Sequence, residues 1–270
     1  MTVQRNQQQM RYMVLDTSYF RTCSPEQLLE DGQKGIRFVV PMEVWIEVCT
    51  AGEDKAGLLS KLHELADFVD LLDLLNTLYK YEIEKCRPCS PLTDHFLPGR
   101  LNPNFSRQFI ADRWNVITAE SDHMEQWSSD VFLRIIQEVS AKCSNLGELD
   151  ISNADHVLSV YDRLRVPGSR LPAPHLIDDR WAIYRKVQMD LLAAVDYLRT
   201  WSGKAFALKQ ERKLHDQVDF RVCIIAALMG GLAAEDNNLI QYFRSMCPSG
   251  DLIRPPVKAP NQDPITCARS

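Results

Sequence analysis

The sequence predicts an α/β protein in which a small parallel sheet is flanked by helices and a large all-helical insertion divides the sheet domain. Short apolar runs occur at residues 12–15 and 35–40, and a helical pattern follows each of them. Strand and helix alternating at this spacing is typical of a parallel sheet. Apolar residues then recur every three or four positions through most of residues 53–204, which indicates amphipathic helices.

Residues 11–52 contain the first half of the predicted sheet domain. A strand at residues 12–15 leads directly into Asp16. Ser24 followed by Pro25 is a favourable helix start, so we expect a helix over residues 25–30. A second strand follows at residues 35–40. It ends at Pro41, which opens a helix over residues 42–49.

The helical insertion is predicted at residues 53–204. Leucines spaced by three and four positions from Leu58 onward predict a helix that continues toward residue 84. Proline-rich loops separate it from the helices that follow. Those helices are predicted at residues 106–116, 122–143, 155–164 and 178–200.

The α/β pattern returns at residues 205–247, which complete the discontinuous sheet domain. Residues 248–270 are rich in proline, and we expect an irregular tail there. The predicted elements of the returning segment are a helix at residues 209–229, a short strand at 232–234 and a helix at 238–243.

The composition is that of an ordinary globular protein, with 25% charged and 45% hydrophobic residues. No apolar run reaches the length of a transmembrane helix, and the polar residues 1–9 lack the apolar segment of a secretory signal. We therefore expect a cytoplasmic protein without a membrane partner. The net charge of −5 argues against a protein that coats nucleic acid, because phosphate binding depends on Lys and Arg.

The chain has 8 cysteines, and they are scattered along its length, so we expect reduced thiols. Only Cys86 and Cys89 have the spacing of metal ligands, with His95 nearby. No second close pair follows them, so two ordinary thiols are favoured over a structural zinc site.

Four carboxylates lie beside apolar elements of the predicted sheet domain. Because the carboxyl ends of parallel strands meet at one edge of a sheet, we expect these acids to lie together. Carboxylates combined with water and substrate phosphate are the usual environment of Mg²⁺ or Mn²⁺. The acids are Asp16 after the first strand, Glu47 on the helix after the second, Asp219 before the buried part of the late helix, and Asp236 after the last strand.

The residues around these acids resemble the motifs of the PIN-domain nucleases. In that family a strand ends in an Asp followed by a small hydroxyl residue, as Asp16-Thr17-Ser18 does. At position 234 the chain has Ala, where the family often has Thr or Ser. The other three similarities are Pro41 through Glu47, Asp219 leading into an Ala-rich buried helix, and Leu232 through Leu239 followed by Phe243.

The resemblance implies a compact α/β/α domain with a one- or two-metal ribonuclease site for an RNA substrate. It implies Asp16 and Asp236 as direct ligands of Mg²⁺ or Mn²⁺, and Asp219 as a third ligand or as an orienter of metal-bound water. Glu47 would lie behind the ligands or act as the base that positions water. Such a site hydrolyses phosphodiester bonds without a covalent nucleophile.

Several alternatives stay open at this stage. Asp16 could instead cap a turn or the next helix. The protein could be a PIN-like fold without catalysis, with the helical insertion binding a second copy or a regulatory protein, or a mostly helical protein in which the acids never meet. Neighbouring acids compete with three of the four candidates: Glu43 with Glu47, Asp216 with Asp219, and Glu235 with Asp236.

Overall fold

A computed structural model describes residues 10–50, 56–97, 135, 137, 151–165, 168–200 and 210–256. The predicted helix at residues 106–116 and most of the one at 122–143 lie outside the described residues, as do both chain ends. No helix in these ranges combines the length and the apolar character needed to cross a bilayer.

Strands and helices alternate along both parts of the described sheet domain. The strands are β1 (Arg11–Leu15), β2 (Ile36–Pro41), β3 (Val69–Leu72), β4 (Gly231–Ala233) and β5 (Asp251–Ile253). The helices are α1 (Thr17–Thr22), α2 (Pro25–Gln33), α3 (Met42–Thr50), α4 (Ala56–Glu64), α5 (Leu75–Lys85), α6 (Ala154–Leu164), α7 (Ala182–Thr200), α8 (Gln210–Met229) and α9 (Asn237–Met246).

The strands form a five-stranded sheet in the order β3-β2-β1-β4-β5, and every pairing is parallel. The predicted small parallel sheet flanked by helices is therefore confirmed. Strands β2 and β3 lie on one side of β1, and β4 and β5, which come later in the sequence, lie on its other side. The strand order thus reverses between β1 and β4, and parallel sheets bind ligands at such a switch point, beside the carboxyl ends of the strands.

Close approach of β4 to β1 depends on Gly231. A Cβ atom at this position would clash with the carbonyl oxygen of Tyr12 and lie 2.8 Å from the sulfur of Met13. Only glycine leaves room for the two strands to pair, with Val14 opposite Leu232.

The prediction of one helix from residue 58 toward residue 84 is wrong. Helix α4 ends at Glu64, and β3 then pairs with β2, with Val69 opposite Phe38. A short apolar run fits a strand or a buried helix equally well. Residues 69–72 form a strand because they pair with β2, and Val69 is buried there. Arg37 also donates to both carboxylate oxygens of Asp70, at 2.7 and 2.6 Å.

Residues 53–204 are accordingly not all helical, since they contribute β3 to the sheet. The expectation of an irregular tail at residues 248–270 is also wrong in part, because β5 pairs with β4. Only two apolar residues, Leu252 and Ile253, mark β5 in the sequence, so its pairing with β4 decides that it is a strand. The division of the chain into a discontinuous core and an insertion stays a prediction.

Helix α7 packs into both hydrophobic clusters of the described chain. Met189 and Ala193 belong to the main core around the sheet, whereas Leu191 belongs to a second cluster shared with α6. The fully buried carboxylate of Glu82 on α5 accepts hydrogen bonds from the N–H groups of Ala182 and Ile183, at 2.6 and 3.0 Å. This carboxylate caps the start of α7 and so joins α5 to α7.

Candidate active site

Asp16 lies at the carboxyl end of β1 and starts α1. Its backbone N–H donates to the carbonyl of Ala233 at 3.0 Å, which continues the pairing of β1 with β4. Its carboxylate oxygen Oδ2 accepts the N–H of Ser18 at 2.9 Å and so caps α1. The carboxyl group is therefore held at the switch point of the sheet, and its side chain is buried, with a relative exposure of 5%.

The hydroxyl of Ser18 connects the segment of Asp16 with that of Asp236. It donates to Oδ2 of Asp16 and accepts the N–H groups of Glu235 at 3.1 Å and Asp236 at 3.3 Å. Residues from opposite ends of the described sequence thus share one hydroxyl group. The contact places the end of β1 against the loop that follows β4.

Asp236 is exposed and caps α9. Its Oδ1 accepts the N–H groups of Asn238 at 2.7 Å and Leu239 at 3.0 Å. Burial raises the pKa of Asp16, the hydrogen bonds from Ser18 oppose this increase, and the charge of Asp236 adds to it. Two acids whose charges repel each other therefore lie at the switch point.

Glu47 lies on the other side of α1. Its Oε2 accepts the hydroxyl of Thr17 at 3.1 Å, and its Oε1 lies 3.8 Å from Nη2 of Arg21. Because Thr17 directly follows Asp16, this contact brings the Glu47 carboxylate next to the start of α1. The structure thus brings Asp16, Glu47 and Asp236 around one short helix.

Helix α1 was not predicted, although it contacts each of these regions through a hydroxyl. Thr17 binds Glu47, Ser18 binds Asp16, and Thr22 donates to the carboxylate of Glu235. The available signal was Asp16 itself, because Asp is a favoured N-cap residue. Asp16 is both the cap of α1 and the acid at the switch point.

Asp219 lies on α8, ten residues before the end of that helix. This helix ends at Met229, immediately before β4, so Asp219 precedes the amino edge of the sheet by about 15 Å of helix. Its nearby charge adds to the effect of burial in raising the pKa of Cys223, one turn further along α8. Joint binding of one cation by all four predicted acids stays a prediction.

The competing acids have different partners. Glu43 accepts the N–H of Leu75 at 2.9 Å, which caps α5, and its Oε1 lies 3.8 Å from Nη1 of Arg221. Burial raises the pKa of Glu43, and the charge of Arg221 opposes this increase. The described contacts of Glu43 thus belong to the packing of α5 and α8, whereas Glu235 binds Thr22 of α1. The side chain of Asp216 lies outside the described residues.

Cys86 and Cys89 are both free thiols at the end of α5. Cys86 is exposed, whereas Cys89 is buried and donates its backbone N–H to Glu82 at 3.1 Å. Burial raises the pKa of Cys89 well above its ordinary range, so this thiol stays protonated at neutral pH.

The donor atoms at the switch point are suited to a hard divalent cation. Within the described ranges, no group of three or more His, Cys, Asp or Glu side chains is arranged to hold a metal ion. Mg²⁺ keeps several waters, however, and commonly takes only one or two protein carboxylates together with substrate phosphate. Asp16 and Asp236 together supply such a donor set.

No protein-family model, curated protein or solved structure matches this chain.

Proposed function

We propose that this protein is a PIN-like, metal-dependent ribonuclease that hydrolyses RNA phosphodiester bonds at the switch point between β1 and β4. The observation that carries the proposal is the contact between the segments of Asp16 and Asp236 through Ser18. Ligands of parallel α/β sheets bind at this place in the fold. The order of the acidic motifs along the sequence is a second, independent support.

The burial of Asp16 also favours a cation. The carboxylate of Asp16 is only 5% exposed and lies close to the acid Asp236, so it loses most of its hydration. Its described contacts include no basic side chain. Burying a charge in this way costs free energy unless an opposite charge compensates it. A divalent cation bound to Asp16 and Asp236 supplies that compensation.

In the proposed reaction, Asp16 and Asp236 would hold Mg²⁺ or Mn²⁺. When bound, the cation would supply a water of lowered pKa and a positive charge to compensate that of the phosphate. Glu47 orients the attacking water, with Thr17 fixing its Oε2 and leaving Oε1 toward Arg21. Asp219 orients solvent from the α8 side. No side chain forms a covalent intermediate.

The test is a cleavage assay on structured and single-stranded RNA with Mg²⁺ or Mn²⁺, and with a chelator as the blank. We expect cleavage by the parent, and a loss of about a hundredfold or more in Asp16→Asn and Asp236→Asn. Asp251→Asn is the matched control, because Asp251 pairs with Arg11 at the opposite edge of the sheet. Cleavage that is absent from the parent, or equal in parent and Asp16→Asn, would refute the proposal.

A second candidate is a PIN-like interaction protein without catalysis. It is favoured by Ala234 in place of a hydroxyl residue and by the net charge of −5. The partner would be a second copy or a regulatory protein bound through the helical part. Failure of Mn²⁺ to bind, together with self-association in light scattering, would favour this candidate over the nuclease.

A further inference from the structure

Ser18 uses the full hydrogen-bonding capacity of its hydroxyl group. A serine hydroxyl has one donor hydrogen and two acceptor lone pairs. The hydrogen goes to Oδ2 of Asp16, and the lone pairs accept the N–H groups of Glu235 and Asp236. One bond therefore goes to the carboxylate of Asp16, and the other two go to the backbone of the loop that contains Asp236.

The position of Ala234 shows why this hydroxyl matters. Ala234 is fully buried at the end of β4 and cannot donate or accept through its side chain. Its backbone N–H donates to the carbonyl of Ile253 at 3.2 Å, which directs it toward β5 and away from β1. On the β1 side of the loop, the described hydroxyl contacts come from Ser18 and Thr22 of α1.

We propose that Ser18 is a positioning residue, whose hydroxyl holds the loop of Asp236 at a set distance from Asp16 and replaces the hydroxyl that Ala234 lacks. The inference rests on the proposed function for its catalytic meaning, because the spacing of the two acids decides how both bind one cation. Residues that orient metal ligands through hydrogen bonds typically change metal affinity by 10- to 100-fold when removed.

Ser18→Ala separates this role from simple capping of α1. The backbone N–H of Ser18, which donates to Asp16 at 2.9 Å, is retained in the alanine variant. The start of α1 therefore keeps its cap, and only the three hydroxyl bonds are lost. Ser18→Thr keeps the hydroxyl and serves as the conservative variant.

Thr22→Val is the matched control. It removes the other α1 hydroxyl that binds this loop, but the partner of Thr22 is the side chain of Glu235 rather than a backbone amide. Valine has nearly the same volume as threonine. The control therefore measures the general effect of losing a contact between α1 and the loop.

The experiment combines residue-resolved amide hydrogen exchange on the metal-free protein with a Mn²⁺ binding titration. In Ser18→Ala we expect the amides of Glu235 and Asp236 to exchange about tenfold faster, because their acceptor is lost. We expect Mn²⁺ affinity to fall about tenfold, and Ser18→Thr to restore both measurements to within about threefold of the parent. Thr22→Val should leave the amide exchange of Asp236 and the Mn²⁺ affinity unchanged.

Unchanged amide exchange in Ser18→Ala would overturn the inference, as would equal effects of Ser18→Ala and Thr22→Val. Unchanged Mn²⁺ affinity in a Ser18→Ala protein whose parent binds Mn²⁺ would also overturn it. The exchange measurement needs neither metal nor RNA. If the parent neither binds Mn²⁺ nor cleaves RNA, the proposed function fails, while amide exchange still decides whether Ser18 positions the loop.

Discussion

Replacing Asp16 by Asn should stabilise the metal-free protein. Asn is as good an N-cap residue as Asp, so the cap on α1 is kept. The substitution removes a buried negative charge that lies near Asp236. We therefore expect the free energy of unfolding at pH 7, measured by urea denaturation without metal, to rise by about 1–2 kcal/mol.

The gain should depend on pH in a defined direction. The pKa of Asp16 in the folded protein is raised above its ordinary value of 3.8, so the protonated form favours folding. This contribution is fully present below the unfolded pKa and is lost as the pH rises through the folded pKa. The advantage of Asp16→Asn over the parent should thus vanish below about pH 3.8 and grow above it.

Mn²⁺ should reverse the order of stability. At a concentration one hundred times its dissociation constant, a ligand of the native state alone adds about 2.7 kcal/mol. The parent and Asp251→Asn should both gain this amount, whereas Asp16→Asn should gain much less. A lower stability of Asp16→Asn without metal, or equal stabilisation of all three proteins by Mn²⁺, would refute the reasoning.

Two further predictions concern the frame around the site, and both are measured by urea denaturation. Glu82→Ala should lower the free energy of unfolding by about 3–5 kcal/mol, because it leaves buried N–H groups at the start of α7 without their acceptor. Glu82→Gln retains one acceptor oxygen and should lose less, and a loss below about 1 kcal/mol in Glu82→Ala would contradict the capping role. Gly231→Ala should cost about 2–4 kcal/mol, because the new methyl group meets the carbonyl of Tyr12. Gly57→Ala on α4 is the control, because a Cβ has open space there, and it should be neutral or stabilising by up to about 1 kcal/mol. Equal effects of the two substitutions would argue against the close approach of β4 to β1.

Local patterns predicted much of the frame of the site. The strands β1 and β2 were recognisable as apolar runs that end at Asp16 and Pro41. The start of α2 was recognisable from Ser24 and Pro25, and Ser24 indeed accepts the N–H of Gln27. These features depend on residues a few positions apart, so the sequence contains the interaction that decides them.

The competition between Glu43 and Glu47 could not be decided in this way. Both acids are glutamates on α3, one turn apart, so neither the residue type nor the predicted helix distinguishes them. Packing separates them: Glu43 turns toward α5 and Arg221, whereas Glu47 turns toward Thr17 of α1. Which residues each face of a helix contacts depends on the elements packed against it. The pattern within one helix does not identify those elements.

The sequence by itself determined that an acid stands at the end of the first strand and that the sheet is parallel. Only the tertiary structure decided that β3 and β5 complete this sheet, because short apolar segments become strands when a neighbouring strand pairs with them. It also decided that Ser18 meets the amide of Glu235, a residue 217 positions away in the sequence. No local pattern encodes such a contact, since it arises only when β4 packs beside β1 and brings the second acid to the first.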